Sequence, residues 1–311
     1  NGNNADGFAA KLTVGYGNVF EDCISHHNVD DGWDLYTKGE TGAIGAVVLE
    51  NCITYKNGFD LDEATGTETP YSKTEGNGFK MGGESIYVEH MLKDCVSFDN
   101  KGSGVNSNNN PAMIIRNVVS YSNEKANFNL ASQSTEILYD SNGNTRDESN
   151  RTYKFNYDIK GAVSYGSTDS IGSWNADTGF GNVASNPIDS ETNYLAKTGN
   201  IGVNSLGEAV DPAVFFKSVD ENSSMTNHRY SRNADGSFNH GDFLARADEY
   251  AYEHDAADTV TLPDYLGGNG GVGLGVTTEV TTNVTEVTTS APRRSSGAGG
   301  GGSVKNYVAT T

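Results

Sequence analysis

Apolar residues are scarce in this chain, at 35% of 311 positions. No stretch of about 18 apolar residues occurs, which leaves no candidate for a membrane-spanning helix. Basic residues are also few: 21 Lys and Arg stand against 41 Asp and Glu, for a net charge of −20. That balance argues against nucleic acid and anionic membranes as partners, since long-range repulsion would slow encounter. Helical periodicity is missing before residue 170, so an α/β fold is not expected. The first residues lack a charged-then-apolar leader pattern and already carry the repeat described below, so further coils are expected upstream of Asn1, making the solenoid N-terminally truncated. Only three cysteines are present, Cys23, Cys52 and Cys95, and they cannot all pair. All fall at one position of the repeat, where a stack of small buried side chains is expected. A Cys23–Cys52 disulfide or a metal site stays as a lesser alternative, with no His or CxxC pattern supporting zinc.

What the chain has instead is Gly, 38 residues of it, abundant Asn, and an internal repeat. Asp22-Cys23-Ile24-Ser25-His26, Asn51-Cys52-Ile53-Thr54-Tyr55, Asp94-Cys95-Val96-Ser97-Phe98 and Asn117-Val118-Val119-Ser120-Tyr121 align, and Gly161-Ala162-Val163-Ser164-Tyr165 follows more weakly. Five residues after the Cys23 position come Asn28, Asn57, Asn100 and Asn123. A second strand then follows, at Gly32-Trp33-Asp34, Gly104-Val105-Asn106 and Asn127-Phe128-Asn129, with Gly7-Phe8-Ala9 as an earlier copy. The second repeat fits once an insertion between Asn57 and Gly78-Phe79-Lys80 is allowed. Repeats in the mid-twenties built of short strands predict an all-β, right-handed parallel β-helix. In such a solenoid equal positions stack about 4.8 Å apart. Phe8, Trp33, Phe79, Val105 and Phe128 are then an inward stack, and the four asparagines a ladder at a buried turn. The register fades beyond residue 170. A short helix is expected in residues 240–255 with Asp242 near its start. Residues 1–266 are read as the β-helix domain. From 267 to 311 the composition turns Gly-, Thr- and Ser-rich and reads as an extended linker. That linker suggests a secreted protein of several modules, and a monomer is expected. Sequons stand at Asn150, Asn222 and Asn283.

Chemistry concentrates on one face. Asp34 and Lys80 share the outward position after Trp33 and Phe79, in a stack with Ala9, Asn106 and Asn129. Asp6 and Asp31 share the position just before the glycine, and Asp30 adjoins them. Four carboxylates converging within two coils would repel one another by several kcal/mol per pair, roughly, at low effective dielectric. A hard cation resolves that repulsion, and oxygen-only ligation favours Ca²⁺; a solvated acidic patch is the plainer alternative. Lys80 is the cationic member of its stack, and a nearby divalent cation would lower its pKa toward a usable base. Its plainer alternative is a Lys80–Asp34 surface ion pair. Lys11, two residues past Ala9, and Asn106 are candidate substrate-binding residues. The insertion carries Asp60, Asp62 and Glu63 and reads first as a solvated loop.

The segments Asn4-Ala5-Asp6-Gly7-Phe8-Ala9-Ala10-Lys11, Asp30-Asp31-Gly32-Trp33-Asp34-Leu35-Tyr36 and Gly76-Asn77-Gly78-Phe79-Lys80-Met81-Gly82-Gly83 together resemble the core of family 9 polysaccharide lyases, secreted pectate and exopolygalacturonate lyases on a parallel β-helix. The resemblance spans roughly residues 1–170 and, more loosely, Pro212–Asp248. It implies calcium ligands at Asp6, Asp30, Asp31 and Asp34, a catalytic base at Lys80, and β-elimination on an acidic polysaccharide such as polygalacturonate. Two other readings stand beside it. A glycoside hydrolase on the same fold would use paired carboxylates and leave Lys80 without a role. A non-catalytic, calcium-stabilised carbohydrate-binding β-helix would bind the polymer and leave it whole.

Overall fold

The structure, a computed structural model, describes residues 4–130 apart from 85 and 111, then 134–136, 151–153, 156–171 apart from 168, 193–195, 211 and 215–254. The expected linker, the sequons at Asn150 and Asn283, and Pro212 lie outside the described residues.

Three strands make each coil. The first coil holds β1 (Phe8–Ala9), β2 (Asn18–Glu21) and β3 (Ile24–His26), and the second β4 (Trp33–Asp34), β5 (Val47–Glu50) and β6 (Ile53–Tyr55). The insertion follows as a hairpin, β7 (Phe59–Asp62) with β8 (Thr67–Pro70). The third coil is β9 (Phe79–Lys80), β10 (Met91–Lys93) and β11 (Val96–Phe98), and the fourth β12 (Ser103–Asn106), β13 (Ala112–Arg116) and β14 (Val119–Tyr121). The fifth starts at β15 (Ala126–Leu130), leaves for the hairpin of β16 (Ser134–Glu136) and β17 (Arg151–Tyr153), and returns through β18 (Asn156–Lys160) and β19 (Val163–Tyr165). A last strand, β20 (Ser170–Ile171), adds to the sheet begun by β1. The sheets are therefore parallel stacks of equivalent strands, in the orders β1-β4-β9-β12-β15-β20, β2-β5-β10-β13-β18 and β3-β6-β11-β14-β19.

The pairing follows the sequence repeat residue by residue. Ile24, Ile53, Val96, Val119 and Val163 are successive partners, the weak fifth copy included. Phe8, Trp33, Phe79, Val105 and Phe128 are likewise in register, and Phe8 stacks on Trp33 at 4.8 Å between ring centroids. The asparagine ladder runs unbroken: Asn28 Nδ2 donates to Asn57 Oδ1 (2.8 Å), Asn57 to Asn100 (2.7 Å), Asn100 to Asn123 (2.9 Å) and Asn123 to Asn127 (3.0 Å). Each rung satisfies an amide that burial would otherwise leave costly. The cysteines are free thiols, Cys52 and Cys95 buried and Cys23 partly so.

A column of serine and threonine hydroxyls (Ser25, Thr54, Ser97, Ser120) meets the backbone at the first strand of the following coil. Ser25 Oγ donates to Gly32 O at 2.9 Å and Ser97 Oγ to Gly104 O at 3.0 Å. The approach is close enough to require glycine: a Cβ at Gly32 would lie 2.2 Å from Thr54 Oγ1 and 2.6 Å from Gly78 O. Gly32 sits between Asp31 and Asp34, so the same contact fixes the strand that carries both.

Residues 215–254 do not form another coil. They lie on the outer face of β3-β6-β11-β14-β19, where Phe215, Phe216, Met225, Phe238, Phe243 and Leu244 cover Tyr55, Phe98, Tyr121 and Tyr165. On that face His26 stacks on Tyr55, and Tyr55 on Phe98, each at 4.8 Å. The antiparallel pair β21 (Met225–Thr226) and β22 (Arg229–Tyr230) belongs to this cover. The helix expected in 240–255 is not formed. Leu244 takes a left-handed φ of 56°, which breaks a helix, and what forms is a 3-10 turn at Asp248–Tyr250. The apolar residues there are spent on packing against the solenoid, not on a helical stripe. No helix of the described residues is long and apolar enough to cross a membrane.

Candidate active site

The β1-β4-β9 edge of the solenoid assembles the acidic residues. Register places Ala9, Asp34 and Lys80 side by side in consecutive coils. Gly7 N–H donates to Asp31 O and Gly32 N–H to Asn77 O, so Asp6, Asp31 and Asn77 occupy the preceding position of those coils. Carboxylate oxygens of Asp6, Asp31 and Asp34 lie within 4.8 Å of one another. Strand alternation predicts an outward, solvated position for Asp34, yet Asp31 and Asp34 are both buried. Neighbouring polar side chains and the return of the hairpin enclose them.

Asp31 is the most constrained. Its Oδ1 accepts from Asn77 N–H and Asn77 Nδ2, both at 2.8 Å. Its Oδ2 is fully buried, faces Lys80 Nζ at 3.1 Å and receives no well-aligned hydrogen bond. Burial pushes the Asp31 carboxyl up to about 7, against the pull of the Lys80 charge. Asp34 is also raised by burial, with Lys80 and Lys11 opposing. Its Oδ1 accepts the Tyr36 N–H at 3.1 Å.

Lys80 is the nitrogen at the centre. Its side chain is 13% exposed, with Asp31 at 3.1 Å and Glu75 at 3.3 Å. Burial alone would lower its pKa, but Asp31, Asp34 and Glu75 outweigh it and hold the ammonium above the ordinary lysine value. The Lys80–Asp34 ion pair, the plainer alternative for this position, is not formed; Lys80 pairs with Asp31 and Glu75. Asp34 pairs instead with Lys11, whose Nζ bridges Asp34 Oδ2 (2.6 Å) and Asp6 Oδ2 (2.8 Å). Burial opposes the charge on Lys11, and its hydrogen bonds to Asp34 and Asp6 raise its pKa overall.

Asp30 turns away from this group. Its Oδ2 accepts Asn4 N–H (2.7 Å), while Oδ1 accepts Thr74 Oγ1 (2.8 Å) and Glu75 N–H (3.1 Å). Burial would raise its pKa, but these hydrogen bonds bring it below the usual carboxylate value. Asp30 thus ties the hairpin's return to the coil that bears Asp31. Asn106 stands next to Lys80 in register, with its Nδ2 3.3 Å from Asn77 Oδ1 and its Oδ1 accepting Asn108 N–H.

Three neighbours carry no role in the sequence reading: Glu75, Asn77 and Tyr36. Asn77 was findable, since it precedes Gly78 as Asp31 precedes Gly32. Glu75 lies in the insertion, where no repeat gives it a position. Asp60, Asp62 and Glu63 are on the hairpin, away from the cluster: Tyr71 Oη donates to Asp60, Asp62 Oδ1 accepts Ala64 N–H, and Glu63 pairs with Arg229.

The residues present fit a hard cation. The donors are all carboxylate oxygens, three of them converge, and Asp31 Oδ2 is a buried acceptor without its hydrogen bond. Two ammonium groups now offset the cluster's charge.

Comparison with known proteins bears on the same region. Residues 1–150 match the family model described as Pel9A-like, right handed beta helix region. Pectate lyase L of Thermoclostridium stercorarium is 52% identical over 132 residues, covering 42% of this chain and 10% of that protein. Pectate lyase L of Paenibacillus polymyxa (strain SC2) is 51% identical over 129 residues, 41% of this chain and 28% of the relative. The pectate disaccharide-lyase of Dickeya chrysanthemi is 40% identical over 125 residues, 40% of this chain and 14% of the relative. The matched chain therefore spans less than a third of these relatives' own lengths. The crystal structure of pectate lyase Pel9A shares the fold, with a TM-score of 0.51 and 24% identity over 80% of this chain and 48% of that one. Over residues 1–150 the chain is thus similar to the Pel9A-like right-handed β-helix family, in line with the resemblance of its repeat to family 9 polysaccharide lyases.

Proposed function

We propose that this chain is the β-helix of a calcium-dependent lyase that cleaves polygalacturonate or a related acidic polysaccharide by β-elimination. The observation that carries the reading is the pairing of a three-carboxylate cluster with one enclosed lysine. The names of the relatives support the substrate class. Asp6, Asp31 and Asp34 would hold the ion, with Asp30 as the fourth candidate. When bound, calcium supplies a partner for the substrate carboxylate and acidifies the proton on the adjoining C5.

The chain's own residues do the rest. Lys80, as the free amine, takes the C5 proton. The electron pair left at C5 forms the C4–C5 double bond, the C4–O4 bond breaks, and the departing oxygen takes a proton from solvent. Asn77 keeps Asp31 in place through two donated hydrogen bonds. Lys11 and Asn106 face the same strip and would bind substrate carboxylate or hydroxyl groups. As the structure stands, Asp31, Asp34 and Glu75 hold Lys80 protonated. The amine becomes available once the charge of those aspartates is neutralised. Metal binding therefore readies the base as well as the substrate. A glycoside hydrolase gains less support, because Asp6, Asp31 and Asp34 form one cluster, not a separated acid and base. Secretion, and a place in a larger multi-modular protein, belong to the same proposal.

Mass spectrometry of the products tests the reaction class. A lyase yields a new end one water lighter than hydrolysis gives. Saturated ends alone would refute elimination, and binding without any cleavage would favour the carbohydrate-binding alternative.

A further inference from the structure

Tyr36 is the one aromatic ring that the described residues place beside both Asp34 and Lys80 without burying it in the core. Its N–H donates to Asp34 Oδ1 at 3.1 Å, and Lys80 Nζ lies 5.9 Å from its ring centroid. Trp33 and Phe79, the neighbouring aromatics, are fully buried, whereas Tyr36 is partly exposed.

The ring is fixed at two points. One edge lies against Gly83, where a Cβ would come 2.3 Å from Tyr36 Cδ2 and 2.4 Å from Cε2. Its hydroxyl donates to Glu84 Oε1 at 2.5 Å. Glu84 is itself held, since its Oε2 accepts Gly39 N–H at 2.7 Å. Glu84 adopts this position with a left-handed φ of 48°, a conformation that costs a non-glycine residue energy. A local strain, a missing Cβ and two hydrogen bonds thus converge on the orientation of one partly exposed ring.

We propose that Tyr36 is a stacking platform for a uronate ring of the polymer, next to the residue that loses its C5 proton. This rests on the lyase reading above. A galacto-configured pyranose carries H3, H4 and H5 on one face, which makes that face apolar. On the cleaved residue this face is turned to Lys80, because H5 leaves from it. The adjoining residue has its apolar face free, and a rigid aromatic ring is the side chain that complements it. A tyrosine plane also attracts a polyanion's sugar without adding charge to an already crowded acidic site. The plainer role, a clasp holding residues 36–42 to Gly83 and Glu84, depends on the hydroxyl; the platform depends on the ring.

Tyr36→Phe and Tyr36→Ala separate the two. Steady-state kinetics on tetragalacturonate with saturating Ca²⁺ is measured alongside calorimetric Ca²⁺ affinity, with circular dichroism as the check on fold. The platform predicts that Tyr36→Ala raises KM about tenfold, with kcat and Ca²⁺ affinity little changed, while Tyr36→Phe stays near wild type. Equal KM effects in the two variants, or an unchanged KM in Tyr36→Ala, overturn the platform and leave the lyase reading standing. A wild-type protein that neither cleaves nor binds the oligomer overturns both. If Tyr36→Ala fails to fold, Tyr36→Leu supplies the same comparison, and a KM equal to that of Tyr36→Phe overturns the proposal.

Discussion

At Lys80 two effects oppose each other. Burial favours the neutral amine, and the carboxylates of Asp31, Asp34 and Glu75 favour the ammonium strongly enough to win. A base in that state is silent until the carboxylates are neutralised, which makes calcium a condition of base strength in this account. Lys80→Ala is expected to lower kcat by about 10²- to 10⁴-fold while Ca²⁺ binding persists; turnover assays paired with calorimetry check both halves. Lys11 makes the converse prediction. Its ammonium bridges two of the three clustered aspartates and competes with any cation that enters. Lys11→Met should therefore tighten Ca²⁺ binding, by roughly tenfold if one charge-assisted hydrogen bond's worth of competition is removed. Weaker binding in that variant would show that Lys11 supports the ion. With Lys80 proposed to act as the free amine, activity should rise with pH and vanish in acid, and a maximum below neutrality would contradict a lysine base.

Among the elements, the ladder and the glycine column set the geometry that the site inherits. Asn100→Ala removes the acceptor for Asn57 Nδ2 and the donor to Asn123 Oδ1, leaving buried amides unmatched at about 1–3 kcal/mol each. Thermal unfolding should register that loss with Ca²⁺ affinity only modestly affected. Gly32→Ala should cost both, because its Cβ would strike Thr54 and the Gly78 carbonyl and displace the strand between Asp31 and Asp34. The sequence made these features legible because a solenoid translates one pattern along an axis: register, inward stack and ladder are each visible as a recurring residue. The hairpin β7–β8 and the cover formed by residues 215–254 break that translation. Their contacts, Glu75 to Lys80 or Phe243 to Phe98, join segments with no common period, and no local signal announces them. Asp34 illustrates the same limit within the repeat, since alternation gives its direction but not the neighbours that bury it.

For the whole molecule, a net charge of −20 and a buried acidic cluster tie stability to pH and to the ion. Asp31 has a folded pKa of about 7 against about 3.9 in an unfolded chain. A raised carboxyl contributes stability that is fully present below the unfolded value and is lost as pH rises through the folded one. Metal-free protein should accordingly lose stability between about pH 4 and pH 7 through this group, and Asp31→Asn should flatten that part of the profile. Ca²⁺ should restore the lost stability at alkaline pH, as any ligand of the folded state does; differential scanning calorimetry with and without chelator reads both. The proposed function goes further: the cluster and the lysine would act together to break a uronate polymer by elimination. Ultraviolet absorbance of a polygalacturonate digest follows the conjugated product directly. The account predicts absorbance that grows with Ca²⁺, stops on chelation and is absent in Lys80→Ala; growth that survives exhaustive chelation, or cleavage without absorbance, would contradict it.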